Sequence, residues 1–198
     1  MRILVGMSGS SGVVYGIRLL EVLRSLPIPI ETHLIVSKWA EECIRLETDT
    51  TLEYVYSLAS NVYSNDDLAA RPSSGSFKFD AMCIVPCSMK TLASIALGLD
   101  DTLISRAAMV SMKEGRKLVL VPRETPLTAI HLQHMLELAR LNVVILPAMP
   151  GFYHRPKSVD DMINHVVGKV LDQLGIEHDI FRRWEGRMNE RTNEQMNE

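Results

Sequence analysis

Cysteine is scarce in this 198-residue chain, with three in all. Cys43, Cys83 and Cys87 cannot all pair with one another and form no CxxC, so a disulfide framework is excluded and a reduced, cytoplasmic protein is expected. A basic excess is also missing. The 21 Lys and Arg against 24 Asp and Glu leave a net charge of −3, which argues against a nucleic-acid partner. Long apolar runs are absent: Leu118 to Val121 and Val143 to Leu146 fall far short of the ~20 residues of a membrane span. The chain enters a strand-like Ile3-Leu4-Val5 without a signal-peptide layout. Gly6, Gly9 and Gly12 do not make GxGxxG and no GK[ST] follows them, which rules out a P-loop. His131 and His134 stand three apart with no clustered acidic or cysteine partner. They read as polar positions near helix or subunit contacts, not as a metal motif.

What is present is an ordinary globular composition, 46% hydrophobic and 23% charged, in a length that suits one domain. Short β-branched runs at 2–7, 31–36, 80–85, 117–122 and 143–147 read as strands. Helical patterns lie between them at about 12–25, 38–47, 51–60, 89–97, 101–114 and 127–140, with a last one near 158–174. In the first helix Val13, Ile17, Leu20 and Leu23 keep the spacing of a buried stripe. Leu118 to Val121 is apolar throughout, as a strand covered on both faces should be. The pattern predicts a single α/β domain over 1–186, a three-layer, doubly wound parallel sheet of Rossmann or flavodoxin-like kind. Residues 64–77 form a polar loop long enough to suggest binding, and 187–198, without apolar periodicity, read as a flexible tail.

In such a sheet ligands bind beyond the carboxyl ends of the strands, so chemistry is sought in the segments that follow them. Ser8-Gly9-Ser10-Ser11-Gly12 opens directly into a helix, either as a phosphate cradle or as a tight turn that needs glycine. The second strand ends in Ser37, where a dinucleotide fold wants an acid. A hydroxyl there suits a ribityl chain or phosphate, which favours a mononucleotide such as FMN, and it equally suits a helix cap. Ser88 and Thr91 stand at another helix start, while Cys87, with no histidine near it in sequence, reads as a packed residue. Arg123 and Glu124 follow the fourth predicted strand, as a phosphate ligand with a proton-transfer group or as a surface turn. Pro147 to Pro156 is rigid, aromatic and basic together.

Taken together, Gly6 to Gly12 with Tyr15-Gly16, Pro86 to Leu92, Arg106-Ala-Ala108, Leu118 to Leu127 and Pro150 to Tyr153 resemble the flavin prenyltransferase family. Its members have also been called phenylacrylic acid decarboxylases, or one of the subunits of hydroxyarylic acid decarboxylases. The match runs in order from residue 1 to about 176. The resemblance implies prenyl transfer from dimethylallyl phosphate to reduced FMN without a metal, giving a prenylated flavin for a separate aromatic acid decarboxylase. It also implies a homo-oligomer, a dodecamer, with sites shared between subunits. Carried over by position, FMN would meet Gly9, Ser10, Ser11, Ser37, Ser88, Met89, Lys90, Thr91 and Arg123. The prenyl phosphate would meet Tyr153 and Lys169, with Arg106, Lys113 and Glu124 lining the same pocket and Glu124, with Ser11, moving the proton of the second bond. Lys169 stands where many relatives have arginine, and Met109 where the family has aspartate. Two alternatives carry different consequences. A non-catalytic FMN carrier would not need the second phosphate clamp. An FMN-dependent oxidative decarboxylase resembles this fold but has asparagine where this chain has Lys90.

Overall fold

A computed structural model describes residues 1–186; the tail expected over 187–198 lies outside the described residues. The elements are β1 (Arg2–Met7), α1 (Val13–Ser25), β2 (Glu31–Val36), α2 (Lys38–Glu47), α3 (Leu52–Ser57), β3 (Asn61–Ser64), β4 (Ala81–Cys87), α4 (Met89–Ala96), α5 (Leu103–Lys113), β5 (Lys117–Pro122), α6 (Ala129–Arg140), β6 (Val144–Ile145) and α7 (Val159–Leu174). All pairings are parallel, in the order β3-β2-β1-β4-β5-β6. The chain winds outward from β1 in one direction and from β4 in the other, so the order reverses between them. Ligand crevices open at such a point.

The alternation of side chains across the sheet decides the two cores. Ile3, Val5 and Met7 of β1, Cys83 and Val85 of β4, and Val119 and Val121 of β5 pack with α1 and α7 on one face. Leu4, Met82, Ile84, Leu118 and Leu120 pack with α4, α5 and α6 on the other. Central strands buried on both sides explain why their sequences are apolar throughout. The stripe Val13, Ile17, Leu20 and Leu23 of α1 is buried as its spacing requires. Cys87 is a packed core residue.

Two expectations need correction. The sequence pattern gives no strand between residues 37 and 79, yet β3 pairs with β2 at the sheet edge just before the polar loop read over 64–77, which carries a 3-10 turn at Arg71–Ser73. The last predicted strand shrinks to Val144–Ile145, although the Leu146 and Ala148 N–H groups still donate to the Leu120 and Pro122 carbonyls of β5 at 2.8 and 3.1 Å. No helix among the described residues is long and apolar enough to cross a membrane.

Candidate active site

The end of β1 and the start of the segment after β4 are stitched together by Ser8, a buried hydroxyl. Its backbone N–H donates to the Pro86 carbonyl at 3.1 Å, and its Oγ accepts the Ser88 N–H at 2.8 Å. That fixes the two loops flanking the reversal point. Beside them lies a cleft of about 500 Å³, within the usual range for a small-molecule site. Gly9, Ser37, Met89, Lys90 and Glu124 are among its lining residues, with Ser88 and Thr91 at its α4 wall. Three helices begin on it: α2, α4 and, through its cap Thr102, α5. Ser37 caps α2 by accepting the Ala40 N–H at 3.1 Å. Ser88 caps α4 by accepting the Thr91 N–H at 3.2 Å while its own hydroxyl donates to Thr91 Oγ1 at 3.0 Å. The two readings left open for Ser37 are therefore compatible, because the residue caps a helix and faces the cleft. Helix starts and hydroxyls of this kind suit a phosphate or polyol ligand. Ser10 Oγ donates to the Arg123 carbonyl at 2.9 Å and Arg123 Nε donates to the Ser11 carbonyl at 3.1 Å, so Arg123 is tied to the first loop. Glu124 is exposed, forms part of the cleft wall, and also lines a smaller hollow of about 220 Å³ with Arg123 and Met149.

A larger concavity of about 910 Å³ opens at the other edge of the sheet, among Arg2, Glu31, Lys78, Asp80, Glu114 and Arg116. No helix begins there, and Arg2 is spent on Glu31 at 2.8 Å. The donor set therefore favours the carboxyl edge as the ligand site.

The phosphate-cradle reading of Ser8 to Gly12 is altered in one respect. The Gly12 N–H, at the start of α1, already donates to Glu47 Oε2 at 2.8 Å, so the chain's own carboxylate occupies part of that helix start. Nothing in the sequence signals Glu47, which lies at the far end of α2.

A second cluster gathers on α7 and the segments before and after it. Tyr153 Oη lies 3.1 Å from His165 Nε2. Asp172 accepts from Lys169 Nζ at 3.2 Å, from Arg183 at 2.7 and 3.2 Å, and approaches His178 Nε2 at 3.1 Å. Burial pushes the Asp172 carboxyl up, but Arg183 and Lys169 outweigh it and hold it at about 2. Trp184 meets Tyr153 edge-on, with ring centres 6.0 Å apart. Phenol, lysine and arginine together can receive a phosphate without help from the cleft. Sequence reasoning singled out Tyr153 and Lys169 and did not name their neighbours His165 and Asp172.

Within a single chain Arg106, Lys113, Tyr153 and Lys169 do not line the cleft, and the expectation had the sites shared between subunits. Arg106 turns to the Ser73 carbonyl at 3.0 Å and to Asp100 at 2.6 Å. Lys113 ends α5, which runs away from the carboxyl edge, and pairs with its neighbour Glu114 beside Gly75. Met109, on the same helix, is half-buried. His131 closes a capping box with Thr128 at the start of α6, which accounts for it without a metal.

Residues 1–171 match the family model described as Flavoprotein. A probable UbiX-like flavin prenyltransferase of Escherichia coli O157:H7 is 52% identical over 198 residues, all of both chains. The chain belongs to the UbiX-like flavin prenyltransferase family. Among solved structures, a dodecameric FMN-dependent UbiX-like decarboxylase from the same organism is 53% identical, with a TM-score of 0.92 over 94% of this chain and 100% of that one. AnUbiX (PadA1), solved with FMN and dimethylallyl pyrophosphate, is 50% identical, with a TM-score of 0.91 over 94% of this chain and 98% of that one. In this flavin prenyltransferase family member the cleft at the β1/β4 reversal and the Tyr153–Lys169 cluster are thus two separate groupings of side chains within one chain.

Proposed function

We propose that this chain transfers a dimethylallyl group from dimethylallyl phosphate to reduced FMN, joining it at N5 and closing a fourth ring at C6, to make prenylated FMN for a separate aromatic acid decarboxylase. The observation that carries the reading is the pairing of a hydroxyl-lined cleft with a distinct cluster of phenol and cations, since the reaction needs one site for a flavin and another for a leaving phosphate. When the allylic C–O bond breaks, the phosphate leaves with the electron pair. Tyr153 and Lys169 then hold the growing charge, each donor contributing about 2.7–4 kcal/mol if it acts as an oxyanion-hole contact does. The flavin is held by Gly9, Ser10, Ser11, Ser37, Ser88, Met89, Lys90, Thr91 and Arg123. As C6 bonds to the branched carbon of the prenyl alkene, the π bond breaks, the neighbouring carbon takes up a proton, and Glu124, with Ser11, takes the proton released from C6.

Lys113, Arg106 and the Tyr153 cluster lie apart in one chain, so this reading has them complete the sites of neighbouring subunits in a homo-dodecamer. The exposed Ile130, Leu132 and Leu136 of α6, with Met149 and Phe152, are the kind of apolar surface that an assembly covers. We place the protein in the cytoplasm, where its thiols stay reduced. Anaerobic incubation with reduced FMN and dimethylallyl phosphate, followed by mass spectrometry of the extracted flavin, tests the activity. A gain of one C5H8 unit, slowed about 10²–10³-fold but still measurable in Tyr153→Phe and in Lys169→Ala, is expected. Unmodified flavin from protein that binds FMN, with the diphosphate donor as well, would return the chain to the carrier reading. Glu124→Gln is expected to slow ring closure, and an unchanged rate removes that residue from the mechanism.

A further inference from the structure

His165 is 7% exposed and reaches Tyr153 through one ring nitrogen only, with Nε2 at 3.1 Å from the phenol oxygen. The other, Nδ1, accepts the backbone N–H of Gly151 at 3.2 Å. An amide N–H can only donate, so Nδ1 carries no proton and the neutral ring carries its proton on Nε2. That N–H donates to Tyr153 Oη. The phenol is then an acceptor on its inner side, and its own O–H is left for whatever meets the exposed face. Burial, with the nearby His154 and Lys169 charges, holds His165 below the usual histidine range and so favours the neutral ring. The ring is also gripped. His154 stacks on it with centres 5.1 Å apart and planes 1° from parallel, and Phe181 stands edge-on at 5.0 Å.

We propose that His165 is a positioning residue for the reaction: by donating to Tyr153 Oη it aims the phenol proton outward, as a preset donor to a phosphoryl oxygen of the prenyl donor. The inference rests on the assignment of Tyr153 to that phosphate. A donor whose direction is set before the C–O bond stretches needs no reorganisation as charge appears. Lys169, whose ammonium turns freely and is shared with Asp172, cannot supply that directionality.

The test is a double-mutant cycle on the full chain, read as the single-turnover rate of flavin prenylation, the KM for dimethylallyl phosphate and the affinity for FMN. His165→Phe keeps the ring volume and the stack but cannot hydrogen-bond. It is expected to lower the rate about tenfold with FMN affinity unchanged. His165→Gln, with an amide N–H where Nε2 stood, recovers most of the loss. In the Tyr153→Phe background His165→Phe costs nothing more. Equal losses in both backgrounds, or an intact His165→Phe beside an impaired Tyr153→Phe, overturns the role of His165 alone. An undiminished Tyr153→Phe overturns the assignment of Tyr153 and this inference with it. Should His165→Phe fail to fold, the 15N resonances of His165 in the unmutated protein decide. A bare Nδ1 with a protonated Nε2 at pH 7.5 supports the proposal, and the reverse tautomer overturns it.

Discussion

Gly16 offers the sharpest test of how packing holds the cleft. It lies in the first turns of α1, where that helix comes down on β4. A β-carbon there would stand 2.8 Å from Met7 Cε and well inside contact distance of the Val85 carbonyl oxygen. The two obstacles differ in kind. The methionine end can swing aside, whereas Val85 belongs to a strand paired on both sides, with β1 and β5. Gly16→Ala gains about 1 kcal/mol of helix propensity and meets an overpacking cost of about 1–3 kcal/mol, at the upper end because the obstacle is backbone. We expect a net loss of about 1–2 kcal/mol. The larger effect falls on binding. Relief requires α1 to lift off the sheet, and the helix carries Gly9 to Gly12 with it. A displacement of under ~1 Å there should weaken FMN binding at least tenfold. Quenching of flavin fluorescence on titration, alongside urea unfolding at one protein concentration, measures both. Gly6→Ala is the control, because its β-carbon would meet Ile84 and Ile104 at an ordinary 3.4 Å. FMN affinity within twofold of the unmutated protein in Gly16→Ala refutes the argument that this close approach positions the loop.

Further outcomes follow from the second cluster and the thiols. Lys169→Arg restores a bidentate fork and is expected to lower the KM for dimethylallyl phosphate by roughly threefold to tenfold; an unchanged KM would remove Lys169 from phosphate binding. Asp172, at about 2 when folded against 3.8 as a free carboxyl, contributes stability that is complete above pH 3.8 and lost as pH falls through about 2. The shift corresponds to at most about 2.4 kcal/mol, and solvent screening of its half-exposed partners reduces this to about 1 kcal/mol. Thermal unfolding of Asp172→Asn should therefore show a deficit that is equal at pH 7 and pH 5 and narrower at pH 3; a deficit independent of pH refutes it. Burial pushes the Cys83 thiol to about 12 and Cys87 higher still, while Cys43 is only partly covered. Iodoacetamide should label Cys43 alone in the native protein, and labelling of Cys87 would contradict its place in the core.

The sequence alone determined the parallel, doubly covered sheet and which segments reach its carboxyl edge. Apolar strands alternating with amphipathic helices admit little but a parallel sheet with both faces covered, and such a sheet puts Ser8 to Gly12, Ser37, Ser88 and Arg123 at its carboxyl edge whatever the details. The strand Asn61–Ser64 was illegible because an edge strand alternates exposed and half-covered residues and carries no apolar run. Tertiary structure alone decided the rest. His165 and Asp172 acquire meaning only when the segments flanking α7 fold onto it, the one before bringing Tyr153 to His165 and the one after bringing Arg183 and Trp184 against Asp172 and Tyr153. Glu47 meets Gly12 across 35 residues, and Lys113 is carried from the cleft by the direction of its helix. Spacing along a chain fixes which face or edge a residue occupies. Which side chains from different elements meet there depends on packing, and packing is not local in sequence.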